Sequence, residues 1–331
     1  MGPRAGEQHR VTLVVPGELR GPSGGNVYDR IMVEALRARG WLVVVSESVP
    51  DRCGDLVVLD SLAMPAGPPP GVERPVVLLH QLPSEANDRP SWREPERGVL
   101  RTASLVVTVS RHLAERVSRE TDARVEVISP GWDGAYTDRR VDDGSVLCVA
   151  NAGRHKGVTD AIRAFQLARL DGARFRLAGD PHRDPEEAER IDGLVAALGR
   201  DLVLDGVLGT AELSRRYEGA RVFISASRYE GWPIAVAESM ASGVPVVAFD
   251  VAGVRELVRP EEDGILVRVG DADGLAGALR ALWNDAGLRE RMGRSARIRA
   301  RSWATWRDAS ERFVDVLGAV TTGDVHRTGA A

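Results

Sequence analysis

The sequence predicts an α/β protein built from two Rossmann-like domains, each with a doubly wound parallel sheet. Short apolar runs alternate with helical patterns along most of the 331 residues. Several runs are apolar at consecutive positions, as in Val76–Leu79, which is typical of parallel strands that helices bury on both faces. A polar segment rich in Gly and Asp interrupts the alternation near Ser129–Asp143, and we place the domain boundary there.

Each domain has its own series of predicted strands. The first series comprises Val11–Pro16, Trp41–Ser46, Leu56–Asp60, Pro75–His80, Leu105–Val109 and Val125–Ile128. The second comprises Val146–Asn151, Arg174–Ala178, Leu202–Asp205, Val222–Ser225 and Val244–Phe249. From Ala272 onward the pattern is helical. We interpret the arginines that crowd between Arg289 and Arg301 as a solvated helix face, with contact to anionic lipid or a partner as the alternative.

The bulk properties exclude several classes of protein. A formal net charge of −4 argues against a general nucleic-acid binder. Cys53 and Cys148 show neither a disulfide framework nor the spacing of a metal site. The first residues lack the apolar stretch of a signal peptide, and no apolar run is long enough to span a membrane. We therefore expect a cytoplasmic protein.

The strongest chemical signal is the segment Arg228–Glu238, which follows a predicted strand and opens a helix. Gly231 and Pro233 suit a tight turn into the helix, and the free amides of a first helical turn can hold an anion. Glu230 and Glu238 could then serve different roles, one beside positive charge that develops on a sugar and one at sugar hydroxyls. Without the residues that surround them, the preferred interpretation would be that Glu230 caps the helix and that Glu238 is an ordinary helical glutamate.

The stretch Glu230–Val247 resembles the donor-site signature of retaining glycosyltransferases of family 4, the glycosyl transferases group 1, which have the GT-B fold. The resemblance extends more loosely over Val11–Leu317. It implies two domains that face each other across a cleft. The implied parts are an acceptor domain over 1–138, completed by a C-terminal helix over 303–318, a nucleotide-sugar donor domain over 139–302, and a flexible tail over 319–331.

A second signal is the loop Cys148–Gly157, which leaves the first strand of the second domain. A Gly-containing loop with cations beside a helix start suits a diphosphate. Lys156 is the only lysine of the chain, and an ordinary surface lysine is the alternative. The resemblance assigns Lys156 to the donor diphosphate. Family members usually carry Arg where this chain has Asn151, and we expect Arg154 to replace that charge.

Two further signals lie in the first domain. The segment Gly21–Tyr28 resembles the family's Gly-Gly loop, in which Gly24 and Gly25 let the backbone approach a phosphate or the acceptor; a plain turn is the alternative. His80 ends a predicted strand and resembles the family's interdomain histidine near the reacting sugar, whereas a structural histidine is the alternative. Ser110 also resembles a family position, although a role as helix N-cap would explain it.

The resemblance implies a role for each candidate residue. Glu230 and His80 are the expected catalytic residues, and Glu238 is expected to bind the nucleotide ribose. The other residues expected to bind the donor are Lys156, Arg154, Asn151, Gly231, Trp232, Pro233, Ile234 and Val207. The expected reaction is retaining and needs neither a metal nor a cofactor beyond the nucleotide-sugar donor. The acceptor stays open: a sugar, a lipid-linked sugar or a small natural product, with peripheral contact at the inner membrane face as an option.

Three rival functions remain open at this point. A nucleotide-sugar epimerase shares the two-domain architecture and needs no acceptor. A two-domain oxidoreductase is disfavoured because no dinucleotide fingerprint with an acidic ribose-binding residue follows the first strand. A non-catalytic nucleotide-sugar-binding or scaffold protein also stays open, because Asn151 stands where family members usually carry Arg.

Overall fold

A computed structural model describes residues 9–132, apart from 16, 18, 20 and 22, and residues 142–322. These residues form two compact units. The first contains the described residues up to Gly131 and those from Ala304 onward, and the second is Trp132–Trp303. Each unit contains a six-stranded parallel sheet, which confirms the predicted fold class. The predicted boundary after residue 138 lies outside the described residues, as does the predicted tail from residue 323 onward. Residues 319–321 of that predicted tail are helical.

The first unit contains six strands and five α-helices among its described residues. The strands are β1 (Arg10–Val14), β2 (Leu42–Ser46), β3 (Leu56–Asp60), β4 (Val76–Leu79), β5 (Leu105–Thr108) and β6 (Arg124–Val127). The helices are α1 (Gly24–Ala38), α2 (Pro83–Ala86), α3 (Arg93–Thr102), α4 (Arg111–Val117) and the last helix of the chain, α12 (Trp306–Thr321). Pro16, which the prediction places in the first strand, lies outside the described residues.

The strand order of the first sheet is β2-β1-β3-β4-β5-β6. Strand β2 pairs with one edge of β1, and the chain then crosses over so that β3 pairs with the other edge. The switch point therefore lies between β1 and β3. In such sheets ligands bind at the carboxyl ends of the strands beside the switch point. Strands β3, β4 and β5 are buried throughout, as consecutive apolar residues predict. The edge strand β2 instead exposes Leu42, Val44 and Val45.

Helix α12 returns to pack on α1 of the first unit. The buried ring of Tyr28 on α1 lies edge-on to Trp306 and Phe313 of α12, at centroid distances of 5.9 and 6.5 Å. The hydroxyl of Tyr28 donates to the carbonyl of Ile128 at 3.0 Å. A Cβ at Gly131 would lie 2.1 Å from the backbone nitrogen of Trp306, so only glycine lets these segments approach so closely.

The second unit contains six strands and seven α-helices among its described residues. The strands are β7 (Ser145–Val149), β8 (Arg174–Ala178), β9 (Leu202–Gly206), β10 (Ala220–Ser225), β11 (Val246–Phe249) and β12 (Gly264–Val267). The helices are α5 (Val158–Ala168), α6 (Pro185–Leu198), α7 (Thr210–Gly219), α8 (Ile234–Ala241), α9 (Ala252–Leu257), α10 (Ala272–Asn284) and α11 (Ala286–Ala300). Strand β12 was not predicted.

The strand order of the second sheet is β12-β11-β10-β7-β8-β9. Its switch point therefore lies between β7 and β10, which pair with Leu147 opposite Phe223. Alternate residues of β7 enter different cores: Val146 packs in one cluster and Leu147 in the other. Helices thus cover both faces of this sheet. No helix among the described residues has the length and apolar character needed to cross a membrane.

The arginines of α11 correct one expectation. Arg289 donates to the carbonyl of Trp283 at 2.6 Å, near the end of α10. Arg299 donates to the carbonyl of Leu257 at 2.5 Å, the last residue of α9. Carbonyls at helix ends lack partners within their own helix, and a guanidinium can satisfy them. The interpretation as a solvated face is therefore wrong for Arg289 and Arg299, which attach α11 to its neighbours, whereas Arg294 is exposed.

Candidate functional site

The central feature of the second unit is an ion pair between Lys156 and Glu230. Lys156 lies in the loop between β7 and α5, and Glu230 lies between β10 and α8. The ammonium Nζ of Lys156 donates to Oε1 and Oε2 of Glu230 at 2.8 and 3.0 Å. The lysine side chain is 29% exposed and the glutamate 10%. The structure therefore brings together two sequence-predicted residues at the carboxyl ends of the strands that flank the switch point.

Close backbone packing fixes the two loops that carry this pair. Gly157 has a φ of +59°, and a Cβ there would lie 2.0 Å from the carbonyl oxygen of Ala226. A Cβ at Gly253, in the first turn of α9, would lie 2.3 Å from the carbonyl oxygen of Glu230. The positioning role of Gly253 was missed, because it depends on a contact that the sequence does not show.

Sequence reasoning also missed a role for His155, which directly precedes Lys156. Burial, together with the neighbouring ammonium of Lys156, lowers the pKa of His155 to about 4, against the opposing effect of Glu230. Its imidazole is therefore neutral near pH 7. The backbone carbonyl of His155 accepts a hydrogen bond from the amide of Arg228 at 2.7 Å, which ties the two loops together.

Glu238, expected at the nucleotide ribose, lies on α8 against Tyr217 of α7. The Tyr217 hydroxyl lies 2.8 Å from Oε2 of Glu238 and 3.2 Å from the carbonyl oxygen of Ala235. Burial raises the pKa of Glu238 to about 7, while the hydrogen bond from Tyr217 opposes that rise. The carboxyl group thus titrates in the neutral range. Sequence reasoning missed Tyr217, which carries no motif.

The turn from β10 into α8 contains the remaining residues of the strongest motif. Gly231 and Pro233 are buried, and Pro233 occupies the N-cap position, so that α8 begins at Ile234. The Trp232 ring lies edge-on to Trp303 at a centroid distance of 6.4 Å. The prediction places Trp303 in the C-terminal helix that completes the first domain, but the structure places it in the second unit, ahead of α12.

Among the other predicted donor residues, Arg154 and Asn151 bond partners other than the ion pair. Arg154 bonds Glu186 at 2.5 Å, and these side chains are 68% and 62% exposed. Oδ1 of Asn151 accepts from the backbone amide of Asp180 at 2.9 Å, just after β8. Val207, which follows β9, is 55% exposed. Lys156 is the cation bonded to Glu230 among the described residues, and a compensating role of Arg154 stays a prediction.

The first unit holds a second cluster, formed by Asp29, Asp60 and His80. Nε2 of His80, which follows β4, lies 2.8 Å from Oδ1 of Asp29 on α1 and 3.3 Å from Oδ2 of Asp60, the last residue of β3. A Cβ at Gly25 would lie 3.5 Å from Cδ2 of His80. The structure thus brings the predicted Gly25 and His80 together. Gly24 and Gly25 form the first turn of α1 rather than a loop.

The charges of this cluster are strongly coupled. Burial alone would lower the pKa of His80, but the two carboxylates outweigh it and raise that pKa to about 9. Burial raises the pKa of Asp60, against the opposing effect of His80. Oδ2 of Asp29 is buried without a hydrogen-bond partner among the described residues. The donor atoms of the three residues lie within 4.8 Å of one another, the one such group among the described residues and of a type that suits a divalent cation.

Ser110 corrects another expectation in the first unit. It occupies the N-cap position of α4, yet its side chain makes no capping hydrogen bond. Its hydroxyl oxygen is buried and has no partner among the described residues. Ser110 thus occupies the N-cap position that the sequence allows, but it does not cap the helix through its side chain.

Sequence comparison relates this chain to known proteins. The family described as glycosyl transferases group 1 matches residues 137–299. A D-inositol 3-phosphate glycosyltransferase of Acidothermus cellulolyticus is 33% identical in an alignment 237 residues long, which covers 61% of this chain and 52% of that protein. An uncharacterised glycosyltransferase of Methanocaldococcus jannaschii is 27% identical in an alignment 233 residues long, which covers 64% of this chain and 59% of that protein. The chain thus spans little more than half the length of these curated relatives.

Structural comparison agrees on the fold. The structure of Anabaena Alr3699/HepE in complex with UDP-glucose has a TM-score of 0.77 and 16% sequence identity, and it covers 94% of this chain and 100% of that chain. At this identity the likeness concerns the fold alone, and it supports the predicted GT-B class of two Rossmann-like domains. The sequence match to the glycosyl transferases group 1 family covers residues 137–299, which is just under half of this chain.

Proposed function

We propose that this protein is a retaining, metal-independent glycosyltransferase of family 4, which moves a sugar from a nucleotide-diphosphate sugar to a hydroxyl acceptor. The observation that carries this proposal is the Lys156–Glu230 ion pair at the carboxyl ends of β7 and β10. A cation and a carboxylate at a switch point suit a ligand that has both a diphosphate and a sugar. The family match over residues 137–299 supports the same function.

We assign the donor to the second unit. The ammonium of Lys156 and the free amides of the first turn of α8 suit the diphosphate, since both stabilise negative charge. When Lys156 turns to the phosphates, the carboxylate of Glu230 becomes available to the sugar. Glu238 is assigned to the ribose hydroxyls, and the backbone around Val207 to the nucleobase.

In the proposed reaction, the bond between the anomeric carbon and the donor phosphate oxygen breaks. The acceptor oxygen forms its new bond on the same face of that carbon, and the acceptor proton passes to a phosphate oxygen of the leaving diphosphate. Glu230 stabilises the positive charge that develops on the sugar, while Lys156 and the helix amides stabilise the leaving group. Because these groups neutralise the diphosphate, the proposal assigns no step to a metal ion or a cofactor.

We assign the acceptor to the first unit, beside Gly24, Gly25 and His80. Its class stays within three candidates: a sugar, a lipid-linked sugar or a small natural product. The proposed location is the cytoplasm. Peripheral contact at the inner membrane face follows only if the acceptor is lipid-linked, and flotation with acceptor-loaded vesicles would test it.

The first experiment incubates the purified protein with UDP-glucose, the nucleotide sugar bound in the Anabaena structure, and with other nucleotide sugars chosen by thermal shift. A bound ligand raises the melting temperature by mass action. Release of nucleoside diphosphate together with a glycoside product supports transfer. Interconversion of the sugar without an acceptor would favour the epimerase, and binding without turnover would favour the scaffold.

The second experiment tests the site itself. Glu230→Gln and Lys156→Ala should each lower kcat/KM by about 100-fold or more, because each removes charge stabilisation in the transition state. Glu189→Gln, an exposed isosteric change on α6, is the matched control and should retain full activity. Full activity in both site variants would refute the assignment of the donor site.

A further inference from the structure

The imidazole of His80 is held on three sides within the first unit. Oδ1 of Asp29 and Oδ2 of Asp60 both approach its Nε2, at 2.8 and 3.3 Å. Tyr28 lies edge-on to the ring at a centroid distance of 5.2 Å. Gly25 has no side chain, and a Cβ at its position would lie in van der Waals contact with the ring, 3.5 Å from Cδ2. The ring therefore has one defined position.

The two nitrogens of this ring differ in their surroundings. Nε2 faces both carboxyl groups, whose side chains are 1% and 3% exposed. No described residue makes a hydrogen bond to Nδ1, and the His80 side chain as a whole is 14% exposed. Anchoring one nitrogen of a rigid ring orients the other. Nδ1 is thus the nitrogen available to a ligand at the carboxyl ends of β3 and β4.

We propose that Asp29 and Asp60 are positioning residues, which anchor Nε2 of His80 so that Nδ1–H donates a hydrogen bond to a substrate oxygen. The inference rests on the proposed function, in which His80 contacts the acceptor or the transferred sugar. It assigns to His80 the task of a fixed hydrogen-bond donor rather than that of a base.

The charges around the ring support a donor. Asp29 faces it from α1 and Asp60 from β3, and the nearby Tyr28 hydroxyl donates away from the ring to Ile128. These carboxylates raise the pKa of His80 to about 9, so both ring nitrogens carry hydrogen near pH 7. An imidazolium has no lone pair with which to accept the acceptor proton. That proton then passes to the donor phosphate, as the proposed reaction requires.

The first test needs no activity. Full-length protein labelled with ¹⁵N in its six histidines would be studied by long-range ¹H–¹⁵N correlation near pH 7, with His80 assigned from His80→Gln. We expect both His80 nitrogens at imidazolium shifts in the wild type, and a move toward neutral shifts in Asp29→Asn. A neutral His80 in the wild type would overturn the proposal. Zinc or manganese chloride alone should leave the signals unchanged, and stoichiometric perturbation of His80 would identify a metal site instead.

The second test separates positioning from a merely structural role. Asp29→Asn and Asp60→Asn should lower kcat, by up to about 100-fold, with the donor KM unchanged. His80→Gln should lower kcat at least as far, and adding Asp29→Asn to it should cause little further loss. Glu34→Gln, exposed on the same helix as Asp29, is the control. Unchanged kcat in both aspartate variants would overturn the proposal, whereas a wild type without transferase activity but with an imidazolium His80 would refute only the proposed function.

Discussion

Two glycines determine how closely the loops of the donor site approach the backbone around them. Gly157 follows Lys156 directly and packs on Ala226, while Gly253 packs on the carbonyl of Glu230. In each case a methyl group would meet backbone atoms that no side-chain rotation can move away. The geometry of the ion pair therefore depends on residues that carry no functional group.

Gly253→Ala should disturb the Glu230 turn. Its Cβ would lie 2.3 Å from the Glu230 carbonyl oxygen, so α9 or the turn must shift. We expect a loss of about 1–3 kcal/mol in the free energy of unfolding, with a fall in donor turnover. Denaturant unfolding and a transfer assay would measure both. Gly193→Ala on α6 meets open space and should instead stabilise by up to about 1 kcal/mol; equal behaviour of the two variants would contradict this reasoning.

Glu238 should make stability depend on pH. Its pKa is raised from 4.5 to about 7 by burial, so the folded state binds its proton more tightly than the unfolded state. The stability that this proton contributes is present below pH 4.5 and is lost as pH rises to 7. Glu238→Gln should therefore gain stability relative to wild type on going from pH 4.5 to pH 8, by at most about 3 kcal/mol.

Chemical denaturation at several pH values measures this difference. Glu212→Gln, exposed on α7, should show no such trend relative to wild type. A Glu238→Gln variant whose difference from wild type stays constant with pH would show that the carboxyl group is not held in its neutral form.

The sequence allowed prediction of those site residues that belong to a local pattern. Lys156, Glu230 and His80 each follow a strand, and parallel strands bring their carboxyl ends to one edge. Asp29 and Asp60 could not be assigned in this way, because their roles arise from contacts between α1, β3 and β4. Nothing in the one-dimensional pattern separates such buried carboxylates from ordinary helix and turn residues.

At the scale of elements, consecutive apolar residues predicted the buried strands within two residues at each end. Strand β12 was missed because its run, Gly264–Val267, is short and begins with glycine. Strand β2 carries a similar apolar run, yet it lies at the sheet edge and exposes Val44. A run of apolar residues indicates that a segment can form a strand. The position of that strand in the sheet, at the edge or in the centre, depends on pairing with residues distant in the sequence.

Arg299→Lys should weaken the attachment of α11 to α9. The planar guanidinium of Arg299 donates to the carbonyls of Leu257 and Glu256 at the same time. The ammonium of a lysine lacks this planar, forked arrangement of donors. We expect a loss of about 1 kcal/mol in the free energy of unfolding. Arg294→Lys, on the exposed side of the same helix, should cost nothing measurable and controls for the change of residue type. Equal stabilities of the two variants would show that these carbonyl contacts do not contribute measurably to the free energy of unfolding.

At the scale of the whole molecule, each sheet has one switch point, between β1 and β3 in the first and between β7 and β10 in the second. Lys156 and Glu230 lie beside the second switch point, and the cluster of Asp29, Asp60 and His80 lies beside the first. The assignment of the donor to the second unit therefore makes a spatial prediction that can be tested apart from catalysis.

Hydrogen exchange with and without UDP should locate the donor. We expect slower exchange in residues 150–157 and 226–241, since bound ligand stabilises the loops that contact it. Exchange in the unit that contains β1–β6 should change little with UDP alone. In Lys156→Ala the UDP-dependent protection should disappear. Protection confined to the region around His80 would show that UDP binds the first unit, and it would refute the assignment of the donor to the second unit.

The return of α12 to the first unit has a consequence for synthesis on the ribosome. The second unit is continuous in sequence, so it can fold as soon as its own residues have emerged. The first unit cannot complete its core at that stage, because Tyr28 still lacks Trp306 and Phe313. The part of the protein that is made first is therefore finished last, and its uncovered helix α1 is the surface that a nascent-chain chaperone would encounter.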